Sequence, residues 1–361
     1  MTKNPEQERI SEEHKYLEDV ILREYDFRSV RRIKGTDGAW RVVTDRGERF
    51  LKLSKCDKAE LTYVRQVLEH VANRGFRRVC RFIVTKYGDP FVEDKGKFYY
   101  LTDWVDGKDC SFKKPAHLEE AVFTLAEFHR AACRLKLPAG QVAAEGQPVR
   151  QHWGQWSEMF SGRAEMVSQI SRTLEGEGVF GDQFSQMIRS KAAIVYAWAV
   201  QAVSLLNQGG FSELVKRERE EQAVCHGAFS ASNIILSKRG KGAYLVDLDH
   251  SVQDVRIHDL ARLMARVLPI HKWDIGAATQ MLEWYSFIRP LDELEQKALV
   301  AYLAFPHRLF RYCRQAVKER NVETGTKLVR KLQEDLMLEE FRKPFIQQLM
   351  RSLKISLDIE L

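Results

Sequence analysis

The stretch QAVCHGAFSASNIILSKRGKGAYLVDLD, residues 222–249, interrupts a region of the chain whose pattern is otherwise helical. The segment NIILS and the segment AYLVDLD have the composition of strands, and KRGKG between them has the composition of a turn, so the stretch predicts a β-hairpin. The second strand ends in Asp247 and Asp249, and the alternation of side chains along a strand places both carboxylates on one face. Polar residues therefore gather at one end of the predicted hairpin.

An asparagine at the start of the hairpin adds a third oxygen donor. Asn233 stands just before the first strand, and Asp247 stands at the end of the second. The two side chains can converge on a divalent cation, because amide and carboxylate oxygens are the hard ligands that Mg²⁺ takes beside phosphates. Taken alone, each residue has an ordinary alternative interpretation. Asn233 could cap a turn, and Asp247 could be a carboxylate exposed on the surface. The order of the surrounding elements favours the metal site.

Two regions with different hydrophobic periodicity surround this hairpin. Between Val30 and Val105, short alternating segments separated by glycine-containing turns predict antiparallel strands, and the apolar spacing over Lys58–Asn73 predicts one helix among them. Beyond residue 106, long amphipathic segments predict a helical region. Helices are expected over residues 118–135, 154–174, 182–208, 275–287, 292–305, 308–320 and 326–349. We expect an α+β fold with a sheet lobe, residues 1–105 including an N-terminal extension, and a helical lobe, residues 106–361, that carries the hairpin 222–249.

The composition of the 361 residues excludes several classes of protein. A formal net charge of +7 permits contact with nucleic acid, but the charges alternate in sign, as in KREREE at 216–221, which favours a solvated surface over a nucleic-acid face. The six cysteines form no C-x-x-C pair, so we expect reduced thiols.

The N-terminal residues lack the apolar stretch of a secretory signal, and the uncharged run from Ala192 is densely apolar only to Leu206, too short for a membrane span. We expect synthesis in the cytoplasm and no membrane segment.

The order of short motifs along the chain resembles a known family. His226-Gly227 is followed by Asn233, then by Asp247-x-Asp249, then by HDLARL at 258–263. This arrangement resembles the phosphotransferase family of aminoglycoside and choline kinases, whose fold is that of protein kinases. The features look closest to the spore coat branch of that family, the CotS-like proteins of spore-forming bacteria. Four further segments carry the same resemblance: FLKLS at 50–54, YYLTDWVDG at 99–107, LAEFHRA at 125–131 and YLAFPHRLFRY at 302–312.

The resemblance implies a nucleotide site with ATP as its ligand. Lys52 matches the lysine that contacts nucleotide phosphates, where a compact positive charge suits the polyanion. Glu60, early on the following helix, is the expected carboxylate partner of this lysine, and Glu69 is the alternative. The segment from Asp103 to Val105 matches the hinge that borders the nucleotide cleft.

The same comparison implies a metal ion. Asn233 and Asp247 match the two ligands of Mg²⁺ in the family, and Asp249 is expected to support that metal site. ATP and Mg²⁺ are therefore the cofactors that the resemblance implies.

One position departs from the family pattern. Active relatives have His-Gly-Asp where this chain has His226-Gly227-Ala228. The methyl group of Ala228 cannot orient the attacking hydroxyl or accept its proton, and loss of a positioned base costs about 10²- to 10⁴-fold in rate. No catalytic residue is therefore assigned, and His226 is only the neighbour of the missing base.

Three functions remain open at this point. The leading hypothesis is a catalytically impaired kinase-fold protein of the spore coat, with other spore coat proteins as partners and the coat as its location, both implied by the resemblance. The first alternative is an active ATP-dependent phosphotransferase for a small hydroxylated molecule, since Lys52, Asn233 and Asp247 are present. The second is a basic nucleic-acid-binding helical protein, for which the features are the net charge of +7 and Arg-rich stretches such as residues 308–320.

Overall fold

The computed structural model describes residues 5–36, 38–137, 150–176, 183–238, 242–318 and 326–357. The chain divides into two compact units. The first comprises Met1–Ser111, Ala131–Gln151 and His226–Val252, and the second comprises Phe112–Arg130, His152–Cys225 and Gln253–Leu361. The hairpin predicted within residues 222–249 therefore belongs, from His226 onward, to the same unit as the amino-terminal residues.

The described residues form both strands and helices, as the α+β expectation requires. The strands are β1 (Val30–Thr36), β2 (Ala39–Thr44), β3 (Gly47–Ser54), β4 (Val92–Asp94), β5 (Lys97–Asp103), β6 (Gly107–Asp109), β7 (Val224–Cys225), β8 (Ile234–Ser237), β9 (Ala243–Leu245) and β10 (Val252–Gln253). The helices are α1 (Pro5–Glu24), α2 (Lys58–Asn73), α3 (Pro115–Ala131), α4 (Gln155–Gly176), α5 (Gln183–Gln208), α6 (Phe211–Glu220), α7 (Ile257–Val267), α8 (Ile275–Ile288), α9 (Glu293–Ala304), α10 (His307–Lys318) and α11 (Thr326–Ser352).

The first unit is built on a five-stranded sheet in the order β1-β2-β3-β5-β4. All neighbouring strands in it are antiparallel, which confirms the meander predicted from the alternating segments. The helix predicted over Lys58–Asn73 is α2, with the same bounds. Asp57 and Glu60 form a reciprocal capping box at its start, which satisfies backbone N–H groups that the first turn leaves without a helical partner.

Helix α1 covers one face of this sheet, where the sequence had indicated only an N-terminal extension. Its buried side chains pack against those of the sheet in one apolar cluster, formed by Leu17, Val20, Ile21 and Tyr25 from the helical side and by Trp40, Val42, Leu51, Val92, Tyr99 and Leu101 from the strands. Because side chains alternate along a strand, the neighbours of Leu51 in β3, Phe50 and Lys52, face the opposite side. The sheet therefore has one apolar face and one face that carries a lysine.

A second, three-stranded sheet in the first unit has the order β6-β8-β9. Strands β8 and β9 are antiparallel, which confirms the predicted hairpin. The prediction for its end is wrong in one respect, since β9 ends at Leu245 and alternation does not extend to the two aspartates. Asp247 has a φ of 60° and is followed by a single 3₁₀ turn over Leu248–His250, so the chain leaves the extended conformation there.

The second unit is helical in its described parts. Helices lie close to all seven predicted ranges, whereas α6 and α7 were not predicted. Its core contains a cluster of aromatic rings around Trp156, whose ring centroid lies 5.2 Å from that of Phe211 and 5.0 Å from that of Tyr302. Among the helices in the described ranges, none is long and apolar enough to cross a membrane.

The charged run at 216–221 is not simply a solvated surface. Glu218 in α6 is fully buried and accepts hydrogen bonds of 2.8 Å from both Nε and Nη2 of Arg256. Burial alone would raise the pKa of Glu218, but the hydrogen bonds and charge of Arg256 outweigh it and lower that pKa. The interpretation of this run as a wholly solvated surface is wrong at Glu218, because its partner lies far away in the sequence.

Candidate nucleotide site

A cavity of about 340 Å³ lies within the first unit. One part of its lining is apolar and comes from α2, β9 and the residues before β4. The other part is charged or polar and comes from the lysine face of the sheet and from both ends of the hairpin. The apolar lining includes Val64, Leu68, Phe82 and Leu245, and the polar lining includes Lys52, Asn233 and Asp247. We call the apolar part of this lining the apolar chamber, and the part that contains Lys52, Asn233 and Asp247 the charged end.

Lys52 stands at the charged end, near the middle of β3. Its ammonium group forms an ion pair with Asp247 and a second one with Asp249, in which Nζ lies 3.0 Å from Oδ2. Only 19% of the side chain of Lys52 is exposed. Burial alone would lower the pKa of Lys52, but the charges and hydrogen bonds of the two aspartates outweigh it and raise that pKa. The lysine is therefore held in its charged form.

Asp249 is the more deeply buried of the two aspartates, with 7% of its side chain exposed. The Tyr100 hydroxyl donates a hydrogen bond of 2.8 Å to Oδ1, and the Ser54 hydroxyl donates one of 2.9 Å to Oδ2. Burial and the nearby charge of Asp249 raise the pKa of Tyr100 well above its ordinary value, so its hydroxyl stays protonated. Both oxygens of this carboxylate are thus engaged by donors from β3 and β5.

Asp247 is more open, with 34% of its side chain exposed. The backbone joins it to Asn233, because the N–H of the preceding residue, Val246, donates a hydrogen bond of 3.0 Å to the Asn233 carbonyl. Asn233 and Asp247 both line the cavity. An amide oxygen and a partly exposed carboxylate at one end of a cavity are a donor set that fits Mg²⁺.

The structure does not bring either predicted glutamate partner to Lys52. Glu60 accepts the Asp57 N–H at 3.0 Å through Oε2 in the capping box, and its Oε1 lies 2.9 Å from Nη2 of Arg150. Glu69 pairs instead with Arg81 at 3.1 Å. The carboxylates that contact Lys52 are those of Asp247 and Asp249. The sequence offered one signal for this arrangement, which is the placement of two acidic residues at the end of the hairpin.

The segment expected to form a hinge also borders the cavity. Asp103 and Val105 both belong to its lining. The Asp103 side chain is 74% exposed, and its Oδ1 lies 3.0 Å from Nη1 of Arg49. The next residue, Trp104, donates its N–H to the Glu48 carbonyl at 3.2 Å. Asp103, Trp104 and Val105 therefore all line the cavity at this segment, with the Asp103 carboxylate paired to Arg49.

The loop before β8 keeps a defined shape although it lacks a carboxylate at residue 228. The Ala228 N–H donates a hydrogen bond of 3.3 Å to Nδ1 of His226, whose Nε2 lies 3.2 Å from the Val246 carbonyl. The Asn233 amide donates one of 3.0 Å to the Ala228 carbonyl. Gly227 has a φ of 75°, and a Cβ there would lie 1.9 Å from the His250 carbonyl oxygen. Glycine is therefore required at residue 227 for this loop conformation.

His129, on α3 of the second unit, has a structural role. Its ring nitrogens lie 2.8 Å from the Tyr285 hydroxyl and 3.2 Å from Oδ2 of Asp259, and the side chain is fully buried. Burial lowers the pKa of His129, so the ring is neutral at physiological pH. Both ring nitrogens are occupied by neighbouring side chains.

The sheet unit with its cavity-facing lysine, the hairpin with its asparagine and aspartate, and the helical unit together define a kinase-like phosphotransferase fold. The sequence profile of the phosphotransferase enzyme family matches residues 29–294, and the chain belongs to that family.

Two solved structures share the fold. An aminoglycoside phosphotransferase from Alicyclobacillus acidocaldarius subsp. acidocaldarius DSM 446 has a TM-score of 0.79 and 21% identity, over 93% of this chain and 96% of that chain. Spectinomycin phosphotransferase in complex with ADP and spectinomycin has a TM-score of 0.59 and 13% identity, over 95% of this chain and 98% of that chain.

Among curated proteins, the chain is similar to spore coat protein S of Bacillus subtilis (strain 168). The two sequences are 22% identical over 316 residues, which cover 86% of this chain and 86% of the relative. The similarity therefore extends over most of both proteins.

The crowding at Gly227 predicts a specific loss of stability. We expect Gly227→Ala to lower the free energy of unfolding by about 3 kcal/mol or more, since the methyl group would collide with backbone that cannot move aside. Gly96→Ala is the matched control, because Gly96 has a φ of 71° and no atom lies within 4 Å of the position that an alanine Cβ would take there. That variant should lose only about 1–2 kcal/mol, the cost of a left-handed alanine. Urea unfolding of both variants measures the difference, and equal losses would contradict it.

Proposed function

We propose that this chain is a kinase-fold protein that binds a nucleotide with Mg²⁺ in the cavity of its first unit, is impaired in phosphoryl transfer, and serves as a component of the spore coat or of its assembly. The observation that carries this proposal is the combination of a charged, cavity-lining cluster around Lys52 with an alanine at residue 228. The cluster supports nucleotide binding, and the alanine argues against efficient catalysis.

The cavity suits the two parts of a nucleotide. Its apolar chamber, bordered by Val64, Leu68 and Phe82, matches a planar base, and its charged end supplies Lys52 for the phosphates. A lysine ammonium is a compact point charge that suits a polyanion. The ADP complex of spectinomycin phosphotransferase, which shares the fold, supports the same ligand class here.

Asn233 and Asp247 would hold Mg²⁺ in this proposal. The ion would supply positive charge against the phosphate oxygens, as it does in phosphoryl-transfer enzymes generally. Asp247 is the better placed of the two aspartates near Lys52 for this role, since a larger part of its side chain is exposed.

Impaired transfer follows from the chemistry of residue 228. A general base contributes about 10²- to 10⁴-fold to such reactions, and a methyl group contributes none of it. The nearby hydroxyls of Ser230 and Ser232 lie 2.9 Å apart in a mutual hydrogen bond. Neither hydroxyl is a strong enough base to replace a carboxylate.

The role in the spore coat is supported by spore coat protein S, which aligns with most of this chain. A structural component needs a stable fold and binding surfaces, but it does not need a catalytic base. A ligand that binds only the folded state stabilises it by mass action. Nucleotide bound in the cavity would thus contribute to the stability of the first unit without being consumed.

Nucleotide affinity tests the two halves of the site separately. Asp247→Ala should weaken binding of a non-hydrolysable ATP analogue in Mg²⁺ by about tenfold or more, on the order of other losses at metal sites. In EDTA the same variant should bind at least as well as the wild type, because the lost carboxylate repels phosphate and competes with it for Lys52. Lys52→Ala should weaken binding about tenfold in both conditions, through loss of a charged hydrogen bond.

Isothermal titration calorimetry measures these affinities. Asp26→Ala is the control for removal of a carboxylate, because Asp26 is 76% exposed and pairs with Arg46 away from the cavity lining. An equal effect of Asp247→Ala with and without Mg²⁺ would argue against the metal site.

Turnover tests the proposed impairment. We expect the wild type to consume ATP at the background rate with a panel of sugar, amine and amino-alcohol acceptors. Ala228→Asp restores a carboxylate at the expected base position, and we expect its turnover to rise by less than the roughly hundredfold that a positioned base contributes. This small gain is expected because a long-standing scaffold would have lost alignment of its acceptor as well. Robust turnover by the wild type would instead establish an active small-molecule phosphotransferase.

Location tests the coat assignment. A tagged copy produced in sporulating Bacillus subtilis should be recovered in the coat extract of purified spores, while the tag alone should stay in the soluble fraction. Ala228→Asp should be recovered together with the wild type, because coat assembly does not use a base at that residue. Recovery of the tagged chain only from the soluble fraction would contradict the coat role.

A further inference from the structure

We propose that Asp249, and not Glu60, is the positioning residue that holds Lys52 in place for the nucleotide phosphates. This inference rests on the proposed nucleotide binding, and it assigns to Asp249 a role other than that of a metal ligand.

Asp249 is fixed by its surroundings before any ligand binds. Its Oδ2 accepts hydrogen bonds from the Ser54 hydroxyl at 2.9 Å and from the Lys52 ammonium at 3.0 Å, while Oδ1 accepts one from the Tyr100 hydroxyl at 2.8 Å. The Cys56 thiol lies 3.4 Å from its backbone carbonyl. Three of the roughly four lone-pair sites of this carboxylate are therefore occupied by donors from the protein itself.

The sheet itself provides the platform for this arrangement. Lys52 and Ser54 are two residues apart on β3, so both side chains lie on the face opposite Leu51. Tyr100 is the direct cross-strand partner of Lys52 in the register of β3 and β5. Three side chains from two hydrogen-bonded strands therefore converge on one carboxylate, which gives Lys52 a fixed point of attachment.

Glu60 has no free oxygen to take over this task. One oxygen caps α2 and the other pairs with Arg150. Moving Glu60 to the lysine would break the capping box and leave Arg150 without this partner.

The two aspartates differ in a way that separates their roles. The Asp247 side chain is about five times as exposed as that of Asp249, 34% against 7%. If Mg²⁺ takes the Asp247 carboxylate away from Lys52, the contact with Asp249 remains, and the ammonium group stays in the cavity. A lysine with a single, movable partner would not be held in this way.

The first experiment needs no nucleotide. The rate at which an amine-specific reagent modifies Lys52 is measured by peptide mass spectrometry in the wild type, in Asp249→Asn and in Glu60→Gln. Asp249→Asn should raise the rate severalfold, because the ammonium group then keeps only its contact with the more exposed Asp247 carboxylate and is held less firmly. Glu60→Gln should leave the rate unchanged. An increase only in Glu60→Gln, or none in Asp249→Asn, would overturn the inference.

The second experiment measures binding of a non-hydrolysable ATP analogue. Asp249→Asn should weaken binding by up to about tenfold, no more than Lys52→Ala does through loss of a hydrogen bond to a charged group, and by the same factor in Mg²⁺ and in EDTA. In a Lys52→Ala background, Asp249→Asn should have no further effect. A loss confined to Mg²⁺ would make Asp249 a metal ligand, and an additive loss would show that it acts independently of Lys52; either result overturns the inference.

The two experiments fail separately. Absence of nucleotide binding by the wild type would remove the proposed function, whereas the modification rates would still decide which carboxylate holds Lys52. If Asp249→Asn does not fold, Ser54→Ala and Tyr100→Phe each remove one hydroxyl donor from the carboxylate. Both should then raise the modification rate of Lys52, and unchanged rates in both would overturn the inference.

Discussion

The ion cluster of Lys52 with Asp247 and Asp249 is the interaction on which the organisation of the first unit depends. The side chain of Lys52 is only 19% exposed, and a buried ammonium group is costly unless carboxylates and hydrogen bonds compensate its charge. The two faces of the sheet therefore differ. Leu51 joins the apolar cluster under α1, while Lys52, on the opposite face, lines the cavity where its carboxylate partners lie. The ion cluster also fixes the register, because Tyr100 must stand beside Lys52 for its hydroxyl to reach Asp249. Helix α1, the sheet and the hairpin are thus joined by one polar site with an apolar layer beneath it.

Local periodicity accounts for the elements that the sequence predicted and for part of what it missed. The strands, α2 and the hairpin have regular patterns bounded by turn residues, and the structure has them within a few residues of the predicted bounds. Helix α1 was missed because its first residues are mostly polar, although the spacing of Leu17, Val20 and Ile21 is helical and would have indicated it. The burial of Glu218 in α6 was missed for another reason. Its place in a charged run is typical of a surface residue, and Arg256, which binds it, lies 38 residues further on, so no local pattern contains that information.

At the site, sequence reasoning selected the residue types but not all of their pairings. Asn233 and Asp247 were singled out by the hairpin pattern and Lys52 by the family resemblance, and all three line one cavity. The expected pairing of Lys52 with Glu60 does not occur in the structure, because Glu60 is committed to the cap of α2 and to Arg150. Which carboxylate meets the lysine depends on the left-handed conformation of Asp247 and on the turn after it. That backbone geometry follows from tertiary packing and is not visible in residue order.

The loop at Ala228 and the residues that line the cavity carry different information about function. His226, Gly227 and Asn233 hold that loop through hydrogen bonds to its backbone and close packing, and none of these contacts involves the side chain of residue 228. A chain under selection for stability alone would keep them, so they are not evidence of catalysis. Asp247 is different, since a third of its side chain is exposed and its carboxylate lines the cavity while it pairs with Lys52. A ligand in the cavity could reach this carboxylate, whereas the hydrogen bonds at Ala228 are made within the loop, so the charged end of the cavity is the part of the site that bears on binding.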